Sequence, residues 1–452
     1  MVAGKLTLDN LDILNPDMYV EHGYPWEAWD ILRREEPVYW YDRPGIAPFW
    51  AITKYEDILQ MSKDPKTFPQ GRMILNTGQA GPTTGSDDQP TPEQREEMRR
   101  QREEQRQQSS DPHGGGGGGG GGAGFQRMLL TMNPPDHGVY RNLVVRNFTP
   151  RALRQLEPHI DELAVTYVDE AAKVLVDKVA RQGSFDFVTD LAAKLPLAVI
   201  CEMMGVPRDD WDQIFDWTNR AIGSADPEYQ SDDDGGMVTL GLFEYFGKLA
   251  EERRADRGDD IISSLLEAEI DGEKLEVSEI VSYCFLLIIA GNETTRNATT
   301  GGMLTLIEHP EQRERLRNDI SLIPTAVEEM LRWVSPLIHF ARTATEDIEF
   351  RGQVIKAGQD VGMFYPSANR DEDIFPDPYN FDIGRTPNDH LAFGGFGEHY
   401  CLGSNLARTE LQSIFRELMT RLPDLELVDG PARLRSPFVG GIKHLPVRVQ
   451  SS

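Results

Sequence analysis

Three observations predict a mainly α-helical fold with a smaller β-rich part. From Asp136 to about Phe340 apolar residues recur at three- and four-residue spacing, the period of helices that bury one face. After Arg342, short strand-like runs alternate with turns rich in Gly, Pro, Asn and Asp. Between these lies a continuous helical run from Ser278, the predicted N-cap, to about His309, where Pro310 ends it. At ~1.5 Å per residue that run makes a rod of roughly 45 Å, long enough to cross a whole domain.

The remaining elements follow in chain order. Before residue 78, β-like runs (Pro37 to Tyr41, Phe49 to Thr53) mix with helical ones (Glu27 to Arg34, Tyr55 to Ser62). Residues 78–124 form a polar, low-complexity insert. It holds a Glu/Arg/Gln stretch and an unbroken glycine run from Gly114 to Gly122, which cannot hold regular structure. Two readings stay open for it: a disordered insert, or a segment that orders over a ligand. A last helix is expected from Ser404 to Leu422, then a β-like tail. Globular patterning resumes on both sides of the insert, so residues 1–452 are read as a single catalytic domain.

Composition excludes several classes of function. Acidic residues number 74 against 46 basic, a formal net charge of -28, which speaks against a nucleic-acid binder or a protein held on anionic lipid. The three cysteines, Cys201, Cys284 and Cys401, exclude a disulfide scaffold, and none belongs to a CxxC pair as a structural zinc site would require. The N-terminus has no signal-like apolar stretch, and the strongest apolar run, Tyr283 to Ala290, is shorter than the ~20 residues of a membrane helix. A cytoplasmic protein without a membrane anchor is expected.

Two segments carry chemistry. The first half of the long helix is apolar on nearly every face, yet Ala290-Gly-Asn-Glu-Thr-Thr-Arg296 follows. Mid-helix glycine costs about 0.5–1 kcal/mol relative to alanine, and a carboxylate inside a buried rod needs a partner or a purpose. This segment is either a polar kink satisfied by neighbouring backbone or a locally opened helix presenting an acid and an alcohol to a ligand. The second segment is Phe393-Gly-Gly-Phe-Gly-Glu-His-Tyr-Cys-Leu-Gly403. Its glycines allow tight turns and close approach to a flat partner, and Cys401 lies just before a helix whose dipole favours a thiolate. A phosphate-binding loop would require Lys-Ser, Lys-Thr or GxGxxG, and none is present.

With these segments in view the chain resembles the cytochrome P-450 superfamily of heme-thiolate monooxygenases, from about Asp17 to Val449. The cysteine loop corresponds to the family's heme-binding loop, Ala290-Gly-Asn-Glu-Thr294 to the oxygen-binding part of its long I helix, and Glu329-Met-Leu-Arg332 to its ExxR pair. Phe381-Asp-Ile-Gly-Arg385 looks like the segment that meets that pair, and His137-Gly-Val-Tyr-Arg141 like the HxxxR stretch of the C helix. Phe393 stands eight residues before the cysteine rather than the usual seven, leaving Gly394 there. The insert falls in the family's variable B–C loop.

The resemblance implies a cytochrome P-450 fold, a helical bundle enclosing heme b (iron protoporphyrin IX), with Cys401 as axial thiolate. It implies that Ala290, Gly291, Phe393, Gly397 and Gly403 line the cofactor and that His137, Arg141, Arg342 and His399 hold its propionates. Glu293 and Thr294 would be the catalytic pair, delivering protons during oxygen reduction, with Glu293 reaching solvent through water. Glu329 and Arg332 would be structural.

The stretches AGNETTRN, FGGFGEHYCLGSNLAR, SANRDE and GIKHLPV look like the bacterial group that hydroxylates terminal methyls of sterol side chains and methyl-branched lipids. A terpenoid, macrolide or fatty acid is the alternative substrate, and a peroxide-driven peroxygenase or a heme sensor the alternative activity. Expected pocket residues are Ile289, Ala290, Leu337, Ile338, Phe340, Phe438 and Val439. The family implies O2 as co-substrate and electrons from NAD(P)H through a ferredoxin reductase and a ferredoxin, for which Arg146, Arg151, Arg154 and Arg408 are expected to form a docking patch.

Overall fold

The computed structural model describes residues 6–71, 73–75, 128–223, 225–230, 237–422 and 424–450; the low-complexity insert, 78–124, lies outside them. The longest elements are two helices, Pro150–Gln182 and Val277–Glu308. The second is the axis of the molecule. It packs against Lys194–Met204, Met237–Ala255, Ile323–Val334 and Ser404–Arg421. Its close approach to the last two depends on two glycines: a Cβ on Gly301 would lie 2.7 Å from Val334 Cγ1, and one on Gly302 would lie 2.8 Å from Phe415 Cζ. Along its length Ile280, Ile288, Leu306 and their neighbours are fully buried, each such side chain contributing roughly 1.5–3 kcal/mol. This is also the one described helix long and apolar enough to span a membrane, but it is the core of the fold.

Its start corrects the sequence expectation. Glu276, not Ser278, is the N-cap: its side chain accepts from the Glu279 backbone N–H, and the Glu279 carboxylate accepts from Glu276 N–H at 2.9 Å. This reciprocal box satisfies two otherwise orphaned donors with longer side chains than the Ser/Thr that usually fills the position. The other forecast elements lie within a residue of expectation: Trp26–Glu35, Val38–Tyr41, Phe49–Ile52, Tyr55–Ser62 and Ser404–Arg421.

The main sheet joins opposite ends of the chain. Its order is Val38–Tyr41, Phe49–Ile52, Asp360–Phe364, His339–Thr343, and the middle pair is parallel, with Trp50 opposite Val361 and Ile52 opposite Met363. Side chains reinforce this long-range closure. Trp50 Nε1 donates to Gln359 Oε1 at 2.8 Å across 309 residues, Arg33 donates to the carbonyl and hydroxyl of Ser367, and Tyr24 OH donates to the Val334 and Ser335 carbonyls. His339, fully buried in this sheet, accepts the Leu75 N–H on Nε2 at 3.1 Å and meets the Pro437 carbonyl through Nδ1 at 3.1 Å. Burial holds its pKa down at about 4, so the neutral imidazole that makes both bonds persists.

The ExxR pair is wholly buried. Arg332 forms two 2.8 Å bonds to Glu329 and donates further to the carbonyls of Asn369 and Pro378. Glu329 also accepts from Asp382 N and Arg385 Nε, both in the Phe381 to Arg385 segment, and from Asn388 Nδ2. The expected structural network is therefore present. Removing one partner of such a pair strands the other at a cost of about 3–5 kcal/mol.

Candidate active site

The central helix runs without a break through Ala290 to Arg296, so the opened-helix reading does not hold. Thr294 Oγ1 donates to the Ala290 carbonyl at 2.8 Å, one turn back, which satisfies the hydroxyl within the helix. What distinguishes the segment is accessibility. Ile288, Asn292 and Glu293 are buried, whereas Leu286 and Thr294 keep accessible surface and Ala290 is exposed. These three positions recur every four residues and form one stripe, an open flank on an otherwise enclosed rod. At Gly291 a Cβ would press on Ile200 Cγ1 at 3.2 Å, so the missing side chain lets the two helices pack closely here.

Glu293 is not in reach of solvent as expected. It is 1% exposed and ion-paired with Arg296 one turn on, which in turn donates to Asn219. The neighbouring Asn292 donates to Thr218 Oγ1 at 3.1 Å. Two residues of the core helix, Asn292 and Arg296, thus grip the Trp211–Ile222 helix, and Glu293 steadies the second of them. Burial pushes the Glu293 carboxyl up, and Arg296 pulls the other way. Glu293 Oε1 and Arg296 Nε are left without protein partners.

Sterics build the cysteine loop. A Cβ on Gly397 would stand 1.7 Å from the Ser62 carbonyl oxygen, and one on Gly395 2.3 Å from Ser62 Oγ, so the loop lies flat on the end of the Tyr55–Ser62 helix. Gly394 turns it at φ 94°. Cys401 N–H donates to the Phe393 carbonyl at 3.0 Å, and Tyr400 N–H to that of Gly397 at 2.9 Å. Burial pushes the Cys401 thiol up; the Gly403 N–H, Arg141 and Arg408 counter it by favouring the thiolate. Gly403 is the N-cap of the Ser404–Arg421 helix.

Beside the loop four basic side chains converge. The His137 and His399 rings lie 4.0 Å apart. Arg141 donates to the Tyr400 carbonyl at 2.7 Å, and Arg342 to Gln70 Oε1 at 2.9 Å. Burial, then repulsion from neighbouring basic groups including Arg141 and Arg342, depresses His137 to about 4 and His399 to about 3. The carboxylate of this neighbourhood, Glu398, stays 3.9 Å from His137. His399 Nε2 and Gln70 Nε2 are buried with no partner. Two arginines, two imidazoles and orphaned polar atoms suit a ligand bearing carboxylates, which the arginines would attract and the imidazoles could hydrogen-bond, and the propionates of heme fit them. A free thiol on a glycine-built loop and an apolar open stripe match the other parts of that group. When bound, heme supplies oxygen activation, and thiolate ligation favours O–O cleavage.

The apolar wall is narrower than expected. Leu337, Phe340 and Phe438 keep accessible surface, and Phe340 and Phe438 meet edge to face at 5.6 Å. Ile338 and Val439 are buried. Arg408 also departs from expectation. It is bound bidentately to Glu328 at 2.7 and 2.9 Å and is not a free surface cation, whereas Arg146, Arg151 and Arg154 are exposed. Sequence reasoning missed Arg296, although its i,i+3 spacing from Glu293 was a signal. It also missed Glu328, His390 and His339, whose partners lie 60 or more residues away.

A cysteine loop, a cradle of two arginines and two histidines, and an acid–alcohol helix match the parts of a heme-thiolate oxygenase. The chain belongs to the cytochrome P-450 family: the family profile matches residues 237–427, and relatives extend the likeness to nearly the whole chain. It is 40% identical over 450 residues to a methyl-branched lipid omega-hydroxylase of Mycobacterium tuberculosis, covering 98% of this chain and 94% of that protein. It is 37% identical over 448 residues to a steroid C26-monooxygenase of Mycolicibacterium smegmatis, covering 97% and 93%. Among solved structures, a Mycobacterium marinum cytochrome P-450 in complex with pseudoionone superposes with a TM-score of 0.80 at 31% identity, covering 99% of this chain and all of that one. The protein is an oxidoreductase of the monooxygenase class.

Proposed function

We propose that this monooxygenase hydroxylates the terminal methyl of a sterol side chain or a methyl-branched lipid. The observation that carries the reading is the agreement of two groups of relatives, named for omega- and C26-oxidation, each matching more than nine-tenths of the chain. An end-on substrate needs an apolar passage to the reacting centre, and Leu337, Phe340, Phe438 and the Ala290 stripe supply apolar surface for it. Phe393, Gly397, Gly403 and Cys401 would hold the heme on the loop side, and His137, Arg141, Arg342 and His399 its propionates. Thr294 would hold a proton at Oγ1 beside the bound oxygen. Glu293 would replenish it once the carboxyl leaves Arg296. The acid–alcohol pair favours O2 with external electrons over a peroxide-driven reaction, with NAD(P)H, a reductase and a ferredoxin as the source. Arg146, Arg151 and Arg154 would attract an acidic ferredoxin.

The test is an optical titration of the ferric protein with sterol, branched-lipid, terpenoid and fatty-acid candidates, followed by product analysis. A saturable shift to high spin with a sterol or branched lipid, and a terminal alcohol as first product, is expected. Tight response only to a terpenoid, or oxidation within the chain, would discard the substrate assignment.

A further inference from the structure

Around the carbonyl that takes the Cys401 N–H, the side chains of Glu328, His390, Phe393 and Arg408 form a connected unit. Glu328 accepts both arms of the Arg408 guanidinium at 2.7 and 2.9 Å and a third bond from His390 Nε2 at 3.0 Å. His390 Nδ1 also meets the Ala392 N–H at 3.2 Å, which fixes the ring between its own loop and Glu328. The Arg408 guanidinium carbon sits 4.5 Å from the centre of the Phe393 ring, and the Phe393 carbonyl takes the Cys401 N–H. Burial opposes charge on Glu328, but hydrogen bonds from His390 and Arg408 outweigh it and hold its pKa at about 2. The unit thus sets the Glu328 carboxylate against the Arg408 guanidinium, and the Arg408 charge also favours the thiolate of Cys401.

We propose that Arg408 and Glu328 act as an opposed charge pair that sets how readily the heme iron accepts its electron, Glu328 and His390 fixing the distance at which the Arg408 charge acts. The inference rests on Cys401 being the axial ligand. Reduction adds one negative charge at the iron, and a nearby cation eases it while a nearby anion hinders it. As positioning residues they have a signature that packing alone cannot give, because removing each charge must move the equilibrium in opposite directions.

The experiment is a spectroelectrochemical titration of heme-loaded wild type, Arg408→Gln, Glu328→Gln, the double variant and Arg408→Lys, each also recorded as the ferrous–CO complex. At one fixed reducing poise, Arg408→Gln is expected to lower the ferrous-to-ferric ratio about threefold and Glu328→Gln to raise it by a similar factor. For scale, tenfold is 59 mV for a one-electron couple. The double variant should return close to wild type, and Arg408→Lys should recover most of the loss. Should Arg408→Gln fail to retain heme, Glu328→Gln and Arg408→Lys still decide. A fall or no change in Glu328→Gln overturns the proposal, as do shifts of the same sign in both single variants. A wild-type ferrous–CO complex without the red-shifted band of thiolate ligation would instead overturn the assignment of Cys401.

Discussion

The two faces of the active site are built to different standards of satisfaction. On the cysteine side, the backbone N–H groups of Gly394, Tyr400, Cys401 and Ser404 donate to nearby carbonyls and Arg408 lies over the ring of Phe393, with His399 Nε2 left unpartnered. On the helix side, buried atoms of Asn292, Glu293, Arg296 and Asn297 lack any protein partner. A ligand loop gains from having a single geometry. A proton route needs groups that can exchange partners, and unsatisfied buried polar atoms cost about 1–3 kcal/mol each, which makes such exchange accessible. On the proposed function, the contrast would put the more fixed backbone where the heme is to be held and the unsatisfied polar groups where protons would move.

Three substitutions probe this contrast, from the largest effect down. Gly397→Ala puts a methyl into the Ser62 carbonyl, and relief requires the loop to leave its seat. A loss of about 3 kcal/mol or more in unfolding free energy is expected, with heme retention falling in parallel. Wild-type stability and heme content would show that the loop is softer than its contacts indicate.

Glu293→Gln keeps the shape of the helix side and removes the acid. Product formation should fall by about 10- to 100-fold while O2 uptake continues, so that product per electron pair drops. Equal falls in both rates would assign Glu293 to folding or heme binding rather than to proton supply.

The smallest effect concerns a second unsatisfied group on the cysteine side. Glu410, on the helix that follows the loop, is buried with Oε2 unpartnered, and burial raises its pKa to about 8. Its folded pKa exceeds the unfolded value, so between about pH 4.5 and about pH 8 the folded state binds more protons. Stability from this group is present below about pH 4.5 and is lost as pH rises through about 8. Glu410→Gln should therefore be more stable than wild type at pH 8, by about 1–3 kcal/mol, with the advantage vanishing toward pH 4.5. Chemical denaturation at both pH values checks this, and a pH-independent difference would contradict it.

Local patterning made much of this legible. Helical period and Pro310 located the central helix, and the glycine spacing around Cys401 located the loop whose sterics Ser62 then explains. Interactions between distant segments were not legible. Arg408 reads as a free cation in any local count, because Glu328 stands 80 residues earlier. His339 reads as a strand residue, since nothing near it announces Leu75 or Pro437. Ile338 and Val439 looked like pocket wall because apolar type does not distinguish a lining residue from a buried one. Glu293 was recognised as functional, yet its partner Arg296 was passed over because attention to the acid–alcohol pair stopped at Thr294.

The parallel pairing of Phe49–Ile52 with Asp360–Phe364 also bears on how the molecule is made. The donor of the Trp50–Gln359 bond leaves the ribosome 309 residues ahead of its acceptor. At about 5–20 residues per second, that interval is roughly 15–60 s. Through it Phe49 and Ile52, fully buried at the end, have only the neighbouring Val38–Tyr41 strand to pair with. The other edge of Phe49–Ile52 stays unpaired until the strand at 360–364 has been made.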